Sequence, residues 1–330
     1  MGSLWDEGVS SGELAPPVTH AAAFADSPEF ELVGLCESDP ERRAAASRAR
    51  GVPAFESARE LLAQAKPEVV ALATPTAVRA EVLAQLVESG CRVVICEKPL
   101  ADDLSQARAV RELFARPGAP RLIVNYSRRW AHGFAEVRER LRPGALGPAQ
   151  SLTGVYGKGL LNCASHHVDV AQWFLGAPVA ARSLGYRVDE GACVDRSLDA
   201  EVRFAGGELL RLVASDHRRF TIFEMDLLAG SGRARFSDGG HRLEEWLVAD
   251  DGVYAGYRVL GGGAARSSGL REALRSMIAE AARIARDPSI VPSCGIEDGF
   301  TALAAIEAIR ESEARGGGWV EIEKSLGGSK

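Results

Sequence analysis

The stretch "RVVICEKPLADD", Arg92–Asp103, joins the pattern of a buried strand to a charged pair. Apolar residues fill positions 93 to 96, and Glu97, Lys98 and Pro99 follow directly. In an open sheet of parallel strands, ligands bind beyond the carboxyl ends of the strands. The stretch therefore predicts a buried strand whose end presents Glu97 and Lys98 to a ligand.

Lysine at this position is informative because the chain rarely uses it. Only five of the 39 basic residues are lysines, namely Lys66, Lys98, Lys158, Lys324 and Lys330. A partly buried lysine can exchange a proton near neutral pH once desolvation lowers its pKa, whereas an arginine stays protonated. The competing interpretation is that Lys98 rests its stem on the sheet and keeps its ammonium group in water.

Strand-like and helix-like segments alternate over the first 124 residues. The predicted strands are "FELVGLCESD", "EVVALATPT", the opening stretch and "RLIVNYSRRW", and the predicted helices are "PERRAAASRAR", "ESARELLAQA", "AVRAEVLAQLVESG" and "LSQARAVRELFAR". Such alternation is typical of βαβ units with a parallel sheet covered on both faces. We therefore predict an α/β fold that begins with a Rossmann-like doubly wound domain over residues 1–124.

The pattern changes in residues 125–330. Strand-like runs are joined by Gly and Asp turns, and the predicted helix "SHHVDVAQWFLG" interrupts them. Further helices are predicted at Leu270–Arg286 and Ile296–Arg315, and "GGGAARSSG", Gly261–Gly269, is predicted to be a mobile loop. We expect an α+β domain with an open antiparallel or mixed sheet. One broad face of such a sheet needs a cover, which predicts a homodimer or homotetramer.

Composition argues against several kinds of partner. The net charge of −6 disfavours a nucleic-acid surface, and no apolar run approaches the ~20 residues of a membrane helix. The six cysteines are scattered without the spacing of a metal site, which favours free thiols in a reducing cytoplasm. We predict a cytoplasmic protein that binds a small molecule but no metal, membrane or nucleic acid.

Longer motifs resemble one enzyme family. "VVICEKPL", preceded by "ALATPT" and followed by "LIVNYSRRW" and "YGKGLLNCASHHVDVAQWFLG", is similar to the glucose–fructose oxidoreductase, inositol dehydrogenase and rhizopine-catabolism (Gfo/Idh/MocA) family. The resemblance covers nearly the whole chain. It implies a nicotinamide cofactor in the first domain and a sugar, cyclitol or related polyol in the second. It also implies that hydride passes between a carbinol carbon of this substrate and the nicotinamide.

The same resemblance implies roles for three residues. Lys98 stands where the family has its proton relay, and Asn162 and His166 stand at the family's Asp-x-x-x-His pair. Side chains at i and i+4 share one helical face. Asn162 can bind a hydroxyl but cannot accept a proton, so the acid–base work falls on Lys98 and His166. Neighbouring His167 points about 100° away and is predicted to be structural.

Other residues are assigned to the cofactor or the substrate. The predicted cofactor contacts are Thr74, Pro75, Glu97, Lys98 and Asn125, and the predicted substrate contacts are Arg128, Lys158, Asn162 and His166. Surface or ion-pair roles for Lys158 and Arg128 are the alternatives. The family often has histidine where Arg79 stands, so that change removes one expected contact.

Glu37 bears on the choice of cofactor. It ends a predicted strand, where an acidic residue binds the ribose hydroxyls of NAD and repels the 2′-phosphate of NADP. No arginine follows before Arg42. NAD is therefore favoured over NADP, although glutamates also end strands for solubility alone.

The opening of the chain shows neither the first strand nor the Gly-x-Gly-x-x-Gly turn of such a domain. Aligned on "THAAAFADSPEFELV", Met1 and Gly2 fall at the last two positions of that turn. We expect the written start to lie inside the phosphate-binding turn, with Gly2 at the cofactor and about 8–12 residues missing. A cloning scar, or a chain that truly omits the strand, are the alternatives.

The sequence leaves two other functions open. The protein could be a non-catalytic relative that binds a sugar or a partner protein, as Asn162, Arg79 and the incomplete glycine turn suggest. It could also hydrolyse a glycoside with the help of bound NAD, since some relatives of this fold use transient oxidation.

Overall fold

A computed structural model describes residue 17 and residues 19–141, 145–186 and 194–323. The chain divides into two compact units. The first contains the residues up to Trp130 together with Arg271–Ile296, and the second contains Ala131–Leu270 and the residues from Glu297 onwards. None of the helices in these described ranges is both long and apolar enough to span a bilayer.

Parallel strands form the framework of the first unit. They are β1 (Leu35–Cys36), β2 (Ala54–Phe55), β3 (Val69–Leu72), β4 (Val93–Glu97) and β5 (Arg121–Asn125). β3, β4 and β5 make one sheet in that order, and β1 pairs with β2 separately. No strand within the described part of the chain links the two groups. The predicted Rossmann-like parallel arrangement is confirmed.

Helices alternate with these strands. They are α1 (His20–Ala25), α2 (Pro40–Arg50), α3 (Ala58–Ala65), α4 (Thr76–Glu88) and α5 (Leu104–Phe114). Four of them begin with a capping side chain that accepts a first-turn amide, supplied by Thr19, Asp39, Ser57 and Asp103. Between the helices, residues 93–96 of β4 are completely buried. The all-apolar stretch of β4 thus reflects burial on both faces of the sheet.

A nine-stranded mixed sheet forms the second unit. Its strands are β6 (Ala149–Tyr156), β7 (Pro178–Gly185), β8 (Asp199–Phe204), β9 (Leu209–Ala214), β10 (Phe223–Ala229), β11 (Gly232–Ser237), β12 (Arg242–Asp250), β13 (Arg258–Ser267) and β14 (Val320–Glu321). Their order is β13-β12-β11-β10-β6-β9-β8-β7-β14. β6 and β9 run parallel, and the other neighbours run antiparallel. The mixed sheet predicted for the second domain is confirmed.

The remaining helices are α6 (His132–Arg140), α7 (Ser165–Leu175), α8 (Ala273–Arg286) and α9 (Ile296–Ala314). α8 belongs to the first unit, although we predicted that all residues after 124 form the second domain. Two hydrogen bonds show why. Trp130 Nε1 donates to Glu280 Oε2 at 3.0 Å, and Val124 N donates to Cys294 O at 3.0 Å. The chain thus returns to the first unit through contacts too distant in sequence to predict.

The loop predicted at Gly261–Gly269 is wrong for most of its length. Residues 261–267 belong to β13, which pairs with β12 at every residue except Gly263. Gly262 and Gly263 have positive φ angles of 101° and 97°, and the register shifts opposite them between Glu245 and Trp246. A glycine run looks like a loop in sequence, yet backbone pairing needs no side chain. Here the glycines form an irregular, bulged strand.

Candidate active site

Glu97 ends β4 and is held by two neighbours. Its Oε1 lies 2.8 Å from His20 Nε2 and accepts a hydrogen bond from Asn125 Nδ2 at 2.8 Å. Glu97 and Asn125 are register partners at the ends of β4 and β5, so the sheet itself brings them together. His20 comes from the first turn of α1, which Thr19 caps. The carboxyl edge of the sheet therefore gathers polar side chains from three elements.

These contacts fix the charge of Glu97. Burial on its own would raise the pKa of this carboxyl group, whose side chain is only 15% exposed. The hydrogen bond and the charge of His20, together with the hydrogen bond from Asn125, outweigh burial and lower the pKa to about 2. Glu97 is therefore ionised at neutral pH, directly beside Lys98.

Arg79 connects the turns that follow β3 and β4. This residue of α4 is buried, and its Nη2 donates to Thr74 O at 2.7 Å while its Nη1 donates to Pro99 O. Lys98 is half-buried and lies next to the second of these turns. The family pattern implied only a lost contact at position 79. The structure shows that arginine bridges the two turns that carry predicted site residues.

Several buried polar atoms at this edge are left unsatisfied. His20 Nδ1, Thr74 Oγ1 and Asn125 Oδ1 have no hydrogen-bond partner in the ranges that the structure describes. Such atoms cost about 1–3 kcal/mol each when nothing satisfies them. A bound molecule rich in donors and acceptors would satisfy them, so this edge fits a nicotinamide dinucleotide. Pro75 is exposed beside Thr74.

The turn after β1 contains Glu37 and is bound by an arginine of α2 that the sequence did not single out. Glu37 Oε1 accepts a hydrogen bond from Asp39 N at 3.0 Å. Arg43 Nη1 donates to the carbonyl oxygens of Glu37 at 2.8 Å and Ser38 at 2.9 Å. Arg43, one residue beyond the arginine considered in the sequence, therefore lies directly on the turn that bears on cofactor choice.

In the second unit, Asn162 and His166 lie in one continuous helical segment. Asn162 is exposed in a π-helical turn, Leu160–Ala164, and half-buried His166 is the second residue of α7. π-Helical turns occur often at functional sites, a feature that sequence spacing did not reveal. His167 is buried, with its ring centroid 3.9 Å from that of Phe223. The structural role expected for His167 is what the structure shows.

The other predicted site residues have different settings. Lys158 is exposed with a left-handed φ of 68°, and Arg128 is buried in a 3₁₀ turn at Ser127–Trp130. Gly2 lies outside the described residues, as does the turn in which we expect the written start to fall. The roles of these three residues stay predictions. Sequence reasoning missed His20, because 77 positions separate it from Glu97 and no spacing rule joins them.

Parts of the chain are similar in sequence to known proteins. Residues 13–126 match the family model described as "Oxidoreductase family, NAD-binding Rossmann fold" (GFO_IDH_MocA). A D-apiose dehydrogenase from Paraburkholderia graminis is 32% identical over 200 residues, 60% of this chain and 49% of the relative. An inositol 2-dehydrogenase from Leifsonia xyli is 32% identical over 163 residues, 46% of this chain and 48% of the relative. The chain spans about half the length of the curated relatives it matches.

A solved structure matches the fold over more of the chain. A levoglucosan dehydrogenase in complex with NADH and levoglucosan superposes with a TM-score of 0.79. The superposition covers 93% of this chain and 96% of that one at 20% identity, which shows the shared fold alone. Residues 13–126, which include the motif around Glu97 and Lys98, are similar in sequence to the Gfo/Idh/MocA family of oxidoreductases.

Proposed function

We propose that the protein is an NAD-dependent oxidoreductase of a sugar, a sugar derivative or a cyclitol. The observation that carries the proposal is the carboxyl edge of β3–β5. There an ionised Glu97 stands beside Lys98 among buried polar atoms that need partners. The matched family binds NAD in this domain, and relatives named D-apiose dehydrogenase and inositol 2-dehydrogenase suggest the substrate class.

Lys98 is the proposed proton relay. NAD, when bound, accepts hydride from a carbinol carbon or, as NADH, returns it to a carbonyl carbon. Lys98 Nζ takes the hydroxyl proton during oxidation and gives it back during reduction. Glu97, Thr74, Pro75 and Asn125 are the proposed cofactor contacts. The bridge from Arg79 to the turns on either side keeps Thr74 and Lys98 at fixed positions.

Asn162 and His166 are the proposed substrate contacts of the second unit. His166 can donate or accept a proton, whereas the amide of Asn162 can only form hydrogen bonds to substrate hydroxyls. Exposed Asn162 and half-buried His166 suit such roles. Lys158 and Arg128 are further proposed contacts to substrate oxygens.

NAD is the proposed cofactor in preference to NADP. Glu37 follows β1, where its carboxylate would bind ribose hydroxyls and repel a 2′-phosphate. Arg43 uses its Nη1 atom on two backbone carbonyls of the same turn, which supports this choice.

A paired lysine substitution tests the function. The purified protein would be titrated with NADH and assayed for sugar-dependent NADH formation with myo-inositol, D-apiose and levoglucosan. K98M should lower kcat by about 10²–10⁴-fold, the usual contribution of a general acid–base group. K66M changes an exposed lysine of the same unit and should leave kcat unchanged. Equal activities of K98M and the wild-type protein would refute the relay.

A second candidate is a non-catalytic sugar- or protein-binding module, favoured by Asn162. An amide in place of the family's aspartate cannot take a proton, so the helix could retain binding without turnover. In that case NADH or sugars would raise the thermal midpoint of unfolding, yet none of the three sugars would reduce NAD. Measurable turnover by the wild-type protein would exclude this candidate.

We also propose a homodimer or homotetramer that covers one face of the nine-stranded sheet. That face carries a groove of about 570 Å³ lined by residues of β6, β10 and β11. It contains the ion pairs Arg235–Glu224, at 2.7 Å, and Arg233–Asp226. Light scattering coupled to size exclusion that reports a monomer at micromolar concentration would contradict this proposal. A reducing cytoplasm is the proposed location, which suits the free thiols among the described residues.

A further inference from the structure

The start of the helical segment that carries Asn162 is held by Asp195. Asp195 Oδ1 accepts a hydrogen bond from Leu161 N at 2.9 Å, and its Oδ2 accepts one from Asn162 N at 2.8 Å. First-turn amides of a helix have no intrahelical partner, so a carboxylate that binds two of them caps the helix. This cap comes from a residue 33 positions further along the chain than Asn162.

Two more amides extend this attachment. Gly159 N donates to Ser197 Oγ at 3.0 Å, and Leu160 N donates to Arg196 O at 3.2 Å. Four consecutive amides, those of residues 159–162, are therefore bound by residues 195–197. Gly159 has a φ of 89°, and a Cβ atom there would lie 2.2 Å from Asp195 Oδ2. Only glycine permits this close approach.

Arg310 of α9 binds the Asp195 carboxylate that caps the helical segment. Its Nη2 donates to Asp195 Oδ1 at 3.2 Å, and its Nη1 donates to Glu307 Oε1 at 2.7 Å. The Asp195 carboxylate thus accepts hydrogen bonds from two backbone amides and one guanidinium. A carboxylate engaged in this way is suited to hold the helix in place, because its oxygens already serve as acceptors for three donors.

We propose that Asp195, supported by Arg310, is the positioning residue for Asn162 and His166, an inference that rests on the proposed function. The family pattern places a carboxylate at position 162, and this chain has an amide there. Asp195 brings a carboxylate to the same helical turn from another segment and binds the backbone of Asn162. It thereby sets where the Asn162 amide and, one turn later, the His166 ring meet the substrate.

The test compares D195N with D251N. Asp251 Oδ1 also accepts two backbone amides, from Val253 at 2.7 Å and Tyr254 at 3.0 Å, but in a hairpin turn of the same unit. Misplacing a substrate-binding group by ~1 Å can cost about 10²-fold in rate. D195N should lower kcat/KM for the best sugar of the panel about 10- to 100-fold, largely through KM. Its affinity for NADH should match that of the wild-type protein, and D251N should keep both constants.

R310M provides a second route, should D195N fail to fold. It leaves the cap in place and removes its support, so kcat/KM should fall by a smaller factor, about 3- to 10-fold. R310K keeps a donor and should recover part of the loss. A kcat/KM within twofold of wild type in both D195N and R310M, or in R310M where D195N does not fold, would overturn the proposal.

Failure of the proposed function has a different signature. In that case the wild-type protein would itself show no sugar-dependent NADH formation. The positioning role is then judged by the rise in thermal midpoint that the same sugars produce. D195N should abolish that rise and D251N should retain it; an unchanged rise in D195N would overturn the inference.

Discussion

The end of β4 and the start of the Asn162 helix both hold candidate site residues, but they are built differently. At β4, strand pairing positions the site residues, because Glu97 and Asn125 end adjacent strands in register. At the helix, Asp195 and Arg310 come from segments with no regular relation to it, and 115 positions separate them from each other. The first arrangement follows from parallel-strand geometry. The second depends on particular side chains, and we expect single substitutions to disturb it locally.

The largest effect that we expect is the pH-dependent stabilisation by Glu97. Its folded pKa of about 2 lies below its ordinary value of 4.5, so its stabilisation is complete above about pH 4.5 and is lost as the pH falls towards 2. At 1.36 kcal/mol per pKa unit this is about 3 kcal/mol in the free energy of unfolding. Urea unfolding between neutral pH and about pH 3 should show a steeper loss for wild type than for E97Q. E56Q, at an exposed glutamate, should follow the wild type, and equal slopes for E97Q and wild type would contradict the expectation.

Loss of the bridge made by Arg79 should have the next largest effect, and the quantity that changes is kcat. R79M removes both hydrogen bonds to the turns that carry Thr74 and Lys98, so kcat should fall by up to about 10²-fold. R79K keeps the charge but cannot span both carbonyls, and it should be intermediate. R48M, at an exposed arginine of α2, serves as the control in steady-state assays. A smaller loss of activity in R79M than in R310M would mean that the start of the Asn162 helix is more sensitive to substitution than the end of β4.

Glu37 should have a moderate effect on cofactor choice. E37A removes the repulsion of a 2′-phosphate, while Arg43 on the same turn remains as a cation. The ratio of NADPH to NADH affinity should rise by about tenfold, or 1.4 kcal/mol. Fluorescence titration with both dinucleotides measures this ratio, with E41A of α2 as the control. An unchanged ratio would assign Glu37 to solubility alone.

The smallest effect concerns Asn162. N162D restores the carboxylate of the family pattern at a helix start, where a negative charge is favourable, but it adds that charge close to Asp195. We expect kcat at neutral pH to rise by about threefold, the size of a helix-dipole interaction. Steady-state kinetics would measure the change, with N162A expected to raise KM. A fall in kcat for N162D would mean that Asp195 already supplies the only carboxylate that the turn tolerates.

The sequence predicted what periodicity and strand order control. β4, the alternation of the first unit and the placement of Glu97 at a strand end follow from burial on both faces of a parallel sheet. Contacts made across long separations could not be predicted, as His20 on Glu97 and Asp195 on Asn162 show. Position 79 illustrates the same limit, because the sequence shows an arginine but not the two carbonyls that it binds.

β13 lies at one edge of the nine-stranded sheet. A long flat edge can recruit a strand from another molecule and start aggregation. β13 is a poor template for such growth, because its bulge interrupts the row of outward amides and arginines stand at positions 258 and 266. The glycines that look like a loop in sequence would then protect the protein against fibre formation.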